Sequence, residues 1–296
     1  MSSEQPRLSL TVTVLGTGTM GQGIAQVTAQ SGHTTRLYDA AEGRAAAAIQ
    51  GIAGALEKLV AKGKIGTDAR AGTLSRLSAA ADAKDACAGA DVVIEAVPED
   101  MALKVKVLEA VLPSAAPNAI VASNTSSLSL TELGARLGVP ERTVGLHFFN
   151  PPPVMELVEV VRGLATSEET LDRALSFVKS LHKTPIVVRD VPGFATSRLG
   201  VILGAEAMRM LETGVASAAD IDRGMELGYR HPMGPLKLTD LVGLDVRLAI
   251  LEHLHREIGE QFRPPAILRA MVRAGKLGKK TGEGFYRWVD GQPVSK

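Results

Sequence analysis

The sequence predicts an α/β protein: a parallel sheet covered by helices on both faces, followed by a helical second domain. Two observations carry this. Short apolar strands and helix-forming stretches alternate up to about residue 189, the pattern of parallel strands joined by helical crossovers. Beyond the turn Asp190-Val191-Pro192-Gly193 the strands stop and long helical stretches take over. The expected domains are therefore 1–190, built on the sheet, and 193–296, built of helices alone.

Each element has its own signal. The β-branched run LTVTVL (10–15) is a buried strand that enters glycines at once. A helix follows from Gly21 to Ser31, with Gly32 as its stop. Thr34 to Tyr38 is the second strand and runs into Asp39. The alanine-rich stretch 40–61 is helical, since alanine loses no side-chain entropy in a helix. Ser75–Leu77 forms a short strand. ADVVIEAV (90–97) is a strand leading into the helix EDMALKVKVLEAVLPSAAP, which Pro113 and Pro117 end. Strands at 119–123, 143–147, 155–163 and 185–189 alternate with helices at 129–137 and 167–181. Helices are expected at 194–213, 217–227, 236–259 and 264–274, with no strand among them.

Composition narrows the function classes. A chain of 296 residues, 45% hydrophobic and 22% charged, has the balance of a globular protein with more than one core. A net charge of +1 and 3% aromatic residues argue against nucleic acid or a membrane surface as partner. The single cysteine, Cys87, rules out an internal disulfide, fits a reducing compartment, and reads as a buried structural thiol. The opening MSSEQPRLSL lacks the basic-then-apolar pattern of a signal peptide, and no apolar run is long enough for a membrane span. A cytoplasmic location is expected. His231, His253 and His255 do not form a ligand set, so no metal is expected.

The first turn carries the clearest chemistry. Gly16-Thr17-Gly18-Thr19-Met20-Gly21 is G-x-G-x-x-G between a strand and a helix, and Asp39 ends the next strand. Gly16 permits the tight turn and Gly18 lets the backbone approach a pyrophosphate. Gly21 lets helix and sheet pack closely, while the helix N-terminus receives the phosphate charge. Asp39 accepts from the ribose hydroxyls and repels a 2′-phosphate, which favours NAD over NADP. These features make the sheet domain a dinucleotide-binding domain of the Rossmann type.

Two further stretches hold candidates. Lys58, Lys62 and Lys64 cluster at the end of the alanine-rich helix, either as a solvated face or as a clamp for an anionic substrate handle. GLHFFNPPP (145–153) sets an imidazole at the end of an apolar run, before a rigid turn. On this stretch alone His147 is either a satisfied core histidine at a strand end or, with an unperturbed pKa of about 6.5, a group placed to exchange a proton near neutral pH.

Seven stretches in order resemble the L-3-hydroxyacyl-CoA dehydrogenases, especially the short bacterial 3-hydroxybutyryl-CoA dehydrogenases. They are VLGTGTMGQGIA (14–25), ASNTSSL (122–128), GLHFFNP (145–151), VEVV (158–161), PGF with SR (192–198), HPMGPLKLTDLVGLD (231–245) and GKKTGEGFY (278–286). The resemblance implies NAD-dependent oxidation of a 3-hydroxyacyl-CoA, a step of fatty acid and butanoate metabolism. It implies His147 as general base, Glu159 as its orienting acid and Ser126 on the substrate hydroxyl beside the nicotinamide. It places Asn150, Glu99, Lys104 and Lys280 on the cofactor. It suggests Lys62 or Lys64 for CoA and a homodimer through the helical domain. One position departs from the family: PGFATSR has Ser197 where an active-site asparagine is usual. The serine either leaves room for a water or reshapes the pocket for another acyl chain. A dehydrogenase of CoA-free 3-hydroxy or sugar acids, or a non-enzymatic NAD-binding protein, would share the glycine loop.

Overall fold

A computed structural model describes residues 9–295. Most of the opening stretch MSSEQPRLSL lies outside the described residues. The chain divides into two compact units, the first ending at Asp190 and the second starting at Val191.

The first unit alternates strand and helix. Its elements are β1 (Thr11–Leu15), α1 (Thr19–Gln30), β2 (Thr34–Tyr38), α2 (Arg44–Ala61), α3 (Thr67–Ser75), β3 (Leu77–Ala79), α4 (Ala83–Cys87), β4 (Val92–Glu95) and α5 (Met101–Val111). There follow β5 (Ile120–Ser123), α6 (Leu130–Arg136), β6 (Thr143–Phe148), β7 (Leu157–Arg162), α7 (Glu168–Ser180) and β8 (Thr184–Arg189). The sheet order is β3-β2-β1-β4-β5-β6-β7-β8. Its first six strands have the order of a dinucleotide-binding sheet, with the crossovers reversing at β1 and β4. Both faces are covered. Val12 and Val14 of β1 share a core with Ile24, Ile52 and Phe177, while Thr13 on the other face donates to the carbonyl of Ala86 in α4 at 2.5 Å. Cys87 is fully buried, and burial pushes its thiol up to about 11.

The sheet is not wholly parallel, which corrects the expectation. β7 runs antiparallel to β6 and parallel to β8. A parallel return needs a crossover of a dozen or more residues, and only residues 149–156 join these strands. Gly145 makes their close pairing possible: a Cβ there would stand 2.6 Å from the Cβ of Val161, its register partner. Two short helices, α3 and α4, also escaped the sequence reading.

The second unit is helical, with α8 (Thr196–Glu212), α9 (Ala218–Arg223), a π-helical turn at Gly224–Gly228, α10 (Pro235–Val242), α11 (Leu244–Glu257) and α12 (Ala266–Arg273). The helix expected at 236–259 is two helices, broken at Gly243, whose φ of +106° no L side chain adopts comfortably. A small antiparallel ribbon, β9 (Arg287–Val289) and β10 (Gln292–Val294), appears where no strand was expected. It is tied down by Asp240, which accepts from Phe285 N, Tyr286 N and Trp288 Nε1 at 2.8, 2.9 and 3.0 Å. Among the described residues no helix is long and apolar enough to cross a membrane.

Candidate active site

Most of the expected site residues of the first unit lie at or just beyond the carboxyl ends of β1, β2, β4, β5 and β6, where open parallel sheets bind ligands. The glycine loop follows β1. Gly16 has φ +91°, and a Cβ on it would stand 2.8 Å from the carbonyl oxygen of Ala96, so only glycine fits. At Gly21 a Cβ would stand 1.9 Å from the carbonyl oxygen of Gly16. Gly18 faces open space, and as N-cap of α1 it offers no side chain to the first amides. Those amides, at Thr19, Met20 and Gly21, are unfilled by any cap and suit a phosphate group.

Asp39 stands beside this loop. Its Oδ2 accepts from Thr17 N at 2.9 Å and Thr17 Oγ1 at 2.8 Å, and its Oδ1 from Ala41 N at 3.0 Å. Partial burial raises the carboxyl's pKa, but these donors and the Arg44 guanidinium outweigh it and hold the group below its ordinary value. A cleft of about 460 Å³ opens here, lined by Gly18, Met20, Asp39, Arg44, Val97 and Pro98 among others. Asn150 is exposed and lies in a second depression with Thr17, Gly18, Thr19 and Arg44. The proline turn that carries it packs on α1 at Gly23, where a Cβ would stand 2.7 Å from Pro152.

His147 and Glu159 are register partners on β6 and β7. Opposed residues of antiparallel strands point to the same face. His147 Nδ1 lies 2.7 Å from Glu159 Oε2, and the glutamate is fully buried. An imidazole that donates its Nδ1–H to this carboxylate is the tautomer whose Nε2 can accept a proton. Phe149 flanks the imidazole, with ring centroids 4.7 Å apart.

The loop after β5 carries Ser126, and two devices position it. Asn124 Oδ1 accepts from Phe148 N at 2.9 Å, pinning this loop to the residue after His147. Glu99 Oε1 accepts from Thr125 Oγ1, Ser126 N and Ser127 Oγ at 2.6, 3.0 and 3.0 Å. Burial pushes the Glu99 carboxyl up, but Lys104 and these hydrogen bonds prevail and hold it low. Lys104 is 2% exposed, with its ammonium 2.8 Å from Glu95 Oε1 and 3.2 Å from Glu99 Oε2. Glu95 is fully buried and also accepts from Ser123 Oγ at 2.6 Å. The sequence reading missed Glu95, Ser123 and Asn124. A carboxylate inside the apolar run VVIEAV was the available signal.

The remaining candidates lie elsewhere. Lys62 and Lys64 are exposed at the end of α2. Ser197 and Lys280 belong to the second unit. Ser197 is partly buried on the first turn of α8, and Lys280 Nζ is bound to Asp245 at 2.5 and 2.6 Å.

Comparison with known proteins agrees with this geometry. Residues 11–191 match the model of the 3-hydroxyacyl-CoA dehydrogenase NAD binding domain, and residues 193–288 match that of the 3-hydroxyacyl-CoA dehydrogenase C-terminal domain. The chain is 42% identical to a 3-hydroxybutyryl-CoA dehydrogenase of Clostridioides difficile, covering 92% of this chain and 97% of that one. It is 43% identical to the mitochondrial hydroxyacyl-coenzyme A dehydrogenase of Sus scrofa, covering 94% and 90% of the two chains. The crystal structure of (S)-3-hydroxybutyryl-CoA dehydrogenase from Ralstonia eutropha superposes with a TM-score of 0.91 at 41% identity, covering 95% of this chain and all of that one. The first unit is thus an NAD-binding domain, its glycine loop and Asp39 suit that cofactor, and the chain belongs to the 3-hydroxyacyl-CoA dehydrogenase family.

Proposed function

We propose that the protein oxidises (S)-3-hydroxyacyl-CoA thioesters to 3-oxoacyl-CoA with NAD, reversibly. The observation that carries this reading is the buried His147–Glu159 pair at 2.7 Å, near the carboxyl end of β6. His147 Nε2 takes the proton of the substrate hydroxyl, and Glu159 stabilises the imidazolium that results. Ser126 donates its hydroxyl to the substrate oxygen. Glu99 and Lys104 hold the loop that presents it. When bound, NAD supplies the hydride acceptor. The amides of Thr19, Met20 and Gly21 would hold its pyrophosphate, Asp39 its ribose hydroxyls, and Asn150 and Lys280 are assigned to it as further contacts. Lys62 and Lys64, exposed and cationic, are the candidates for the CoA phosphates. We assign the helical unit to homodimer formation and the protein to the cytoplasm, following the family resemblance and the single buried cysteine. The test is an NADH-linked assay across acetoacetyl-CoA and longer 3-oxoacyl-CoAs, with free CoA as competitor. Turnover of CoA-free 3-hydroxy acids without turnover of any thioester would replace this reading.

Cofactor choice gives one expected result. Asp39 is held ionised and faces the cleft with Arg44, whose Nε is 3.9 Å from it. In Asp39→Ala the repelling charge is gone and the Arg44 guanidinium is released to meet a 2′-phosphate. The NAD/NADP ratio of kcat/KM should fall by at least about tenfold, or ~1.4 kcal/mol. A wild-type protein that turns over NADP faster than NAD at equal concentration would contradict the assignment.

Ser197 gives another. An asparagine there offers two amide donors where serine offers one hydroxyl. Ser197→Asn should change kcat/KM on acetoacetyl-CoA by less than about tenfold, or ~1.4 kcal/mol, if the serine is a swap bridged by water. Steady-state kinetics on a C4 and a C10 substrate decide the matter. A hundredfold change on both would make the position catalytic, and a large change on one alone would make it a determinant of chain length.

A further inference from the structure

Two groups of the mechanism proposed above act on one atom. His147 Nε2 takes the proton of the substrate hydroxyl, and Ser126 donates to the same oxygen. They stand on different segments, His147 on β6 and Ser126 in the loop after β5. Neither segment by itself sets the distance between them.

The backbone ladder between β5 and β6 stops too early to set it. β5 ends at Ser123, whose register partner is Gly145, two residues short of His147. Beyond Ser123 the chain leaves the ladder and turns toward Glu99, which accepts from Thr125 Oγ1, Ser126 N and Ser127 Oγ. β6 runs on to Phe148, which is 2% exposed. The N–H of Phe148 still needs an acceptor, and β5 has no further residue to offer one.

Asn124 supplies that acceptor from its side chain. Its N donates to the carbonyl of Glu95 at 2.9 Å, which holds its backbone on β4, while its Oδ1 accepts from Phe148 N at 2.9 Å. Its Nδ2 makes no hydrogen bond among the described residues, so the oxygen is the part of the amide in use. Ser126 is two residues along the chain from Asn124, and His147 is the neighbour of Phe148. One side chain thus ties the segment of the hydroxyl donor to the segment of the base.

We propose that Asn124 is a positioning residue, which fixes the spacing of the His147 imidazole and the Ser126 hydroxyl so that both reach one substrate oxygen. This rests on the dehydrogenase reading above. Asn124 acts through the main chain on either side of its hydrogen bond. Without it the Glu99 contacts still hold the internal shape of the loop, but the loop is free to shift against β6.

The experiment measures NADH-linked reduction of acetoacetyl-CoA by the wild type, Asn124→Ala, Ser126→Ala and the double variant. A misplacement of about 1 Å can cost about a hundredfold in rate, so Asn124→Ala should lower kcat by about tenfold to a hundredfold. KM for acetoacetyl-CoA should change by less than about threefold, since the loss falls on the transition state. NADH affinity, read by fluorescence titration, should stay as in the wild type. In the Ser126→Ala background the same substitution should cost less than about threefold, because coupled sites are not additive and no hydroxyl remains to misplace. Asn124→Asp keeps an oxygen at the same reach and should recover most of the kcat. If Asn124→Ala unfolds below the assay temperature, Asn124→Ser, whose hydroxyl is one atom shorter in reach, replaces it with the same expectations. An Asn124→Ala that keeps more than half of the native kcat overturns the inference. So do losses that multiply in the double variant, a loss confined to NADH affinity, or an Asn124→Asp as slow as Asn124→Ala. Any of these beside a wild type that turns over acetoacetyl-CoA sinks this inference alone, whereas a wild type that turns over no thioester sinks the dehydrogenase reading with it.

Discussion

Replacing His147 by glutamine is expected to lower kcat by about 10²–10⁴-fold, the usual contribution of a positioned general base, while NADH still binds. Glutamine is similar in reach and can still bond Glu159 Oε2, which lies 2.7 Å from the imidazole Nδ1 in the native protein. The pairing of β6 with β7 through residues 145–148 and 158–161 does not depend on the ring. What glutamine cannot do is take up a proton at neutral pH, because an amide has no basic nitrogen. The loss should therefore fall on the chemical step. NADH fluorescence titration tests the cofactor site, whose glycine loop and Asp39 follow other strands, and steady-state kinetics tests the base. A variant that keeps more than half of the native kcat would remove His147 from the mechanism.

The parts of the fold that were legible in the sequence are those written in local pattern. LTVTVL, the glycine loop and the following helix are one continuous signal, and the structure has β1, the turn and α1 there. Strand direction has no such signature. β7 is as apolar as a parallel strand because it too is buried between β6 and β8, so only the short connection 149–156 betrays its reversal. The break at Gly243 was hidden because apolar residues recur at helical spacing on both sides of it, at Leu238 and Leu241 and again at Leu244, Leu248 and Leu251. The C-terminal ribbon could have been found. Asp290-Gly291 between RWV and QPV is a two-residue hairpin turn, and both residues have positive φ, at 50° and 78°. The candidate site shows the same division. His147 and Glu159 were legible as a pair through the family resemblance, and reading 143–147 and 155–163 as strands fits that pairing. The Glu95–Lys104–Glu99 cluster was not, because its members meet only when the β4 end, the turn after it and α5 fold back together.

That cluster gives the largest expected effect on stability. Lys104→Met conserves volume but leaves Glu95, fully buried, and Glu99 without their cation. Removing one member of a buried ion pair costs about 3–5 kcal/mol, a large share of the roughly 5–15 kcal/mol that holds a domain together. The loss should depend on pH. Burial already pushes the Glu95 carboxyl up, and Lys104 is the chief opposing influence, so the variant raises it further. A carboxyl raised in the folded state costs nothing below its unfolded value of about 4.3 and destabilises progressively as pH climbs toward the folded value. Glu99 works in the same direction: the low folded value that Lys104 helps to maintain contributes stability above the unfolded value, and part of it disappears with the lysine. Urea unfolding should therefore show a small deficit for Lys104→Met near pH 5 and a larger one near pH 8. Adding Glu95→Gln, which keeps a hydrogen-bonding group for Ser123 and discards the charge, should recover part of the loss at pH 8 and little at pH 5. Because Glu99 also holds Ser126 N and Ser127 Oγ, kcat should fall with stability even where the variant is fully folded. An equal deficit at both pH values, or none at either, would mean that the ammonium is not what stabilises the charge on these two carboxylates.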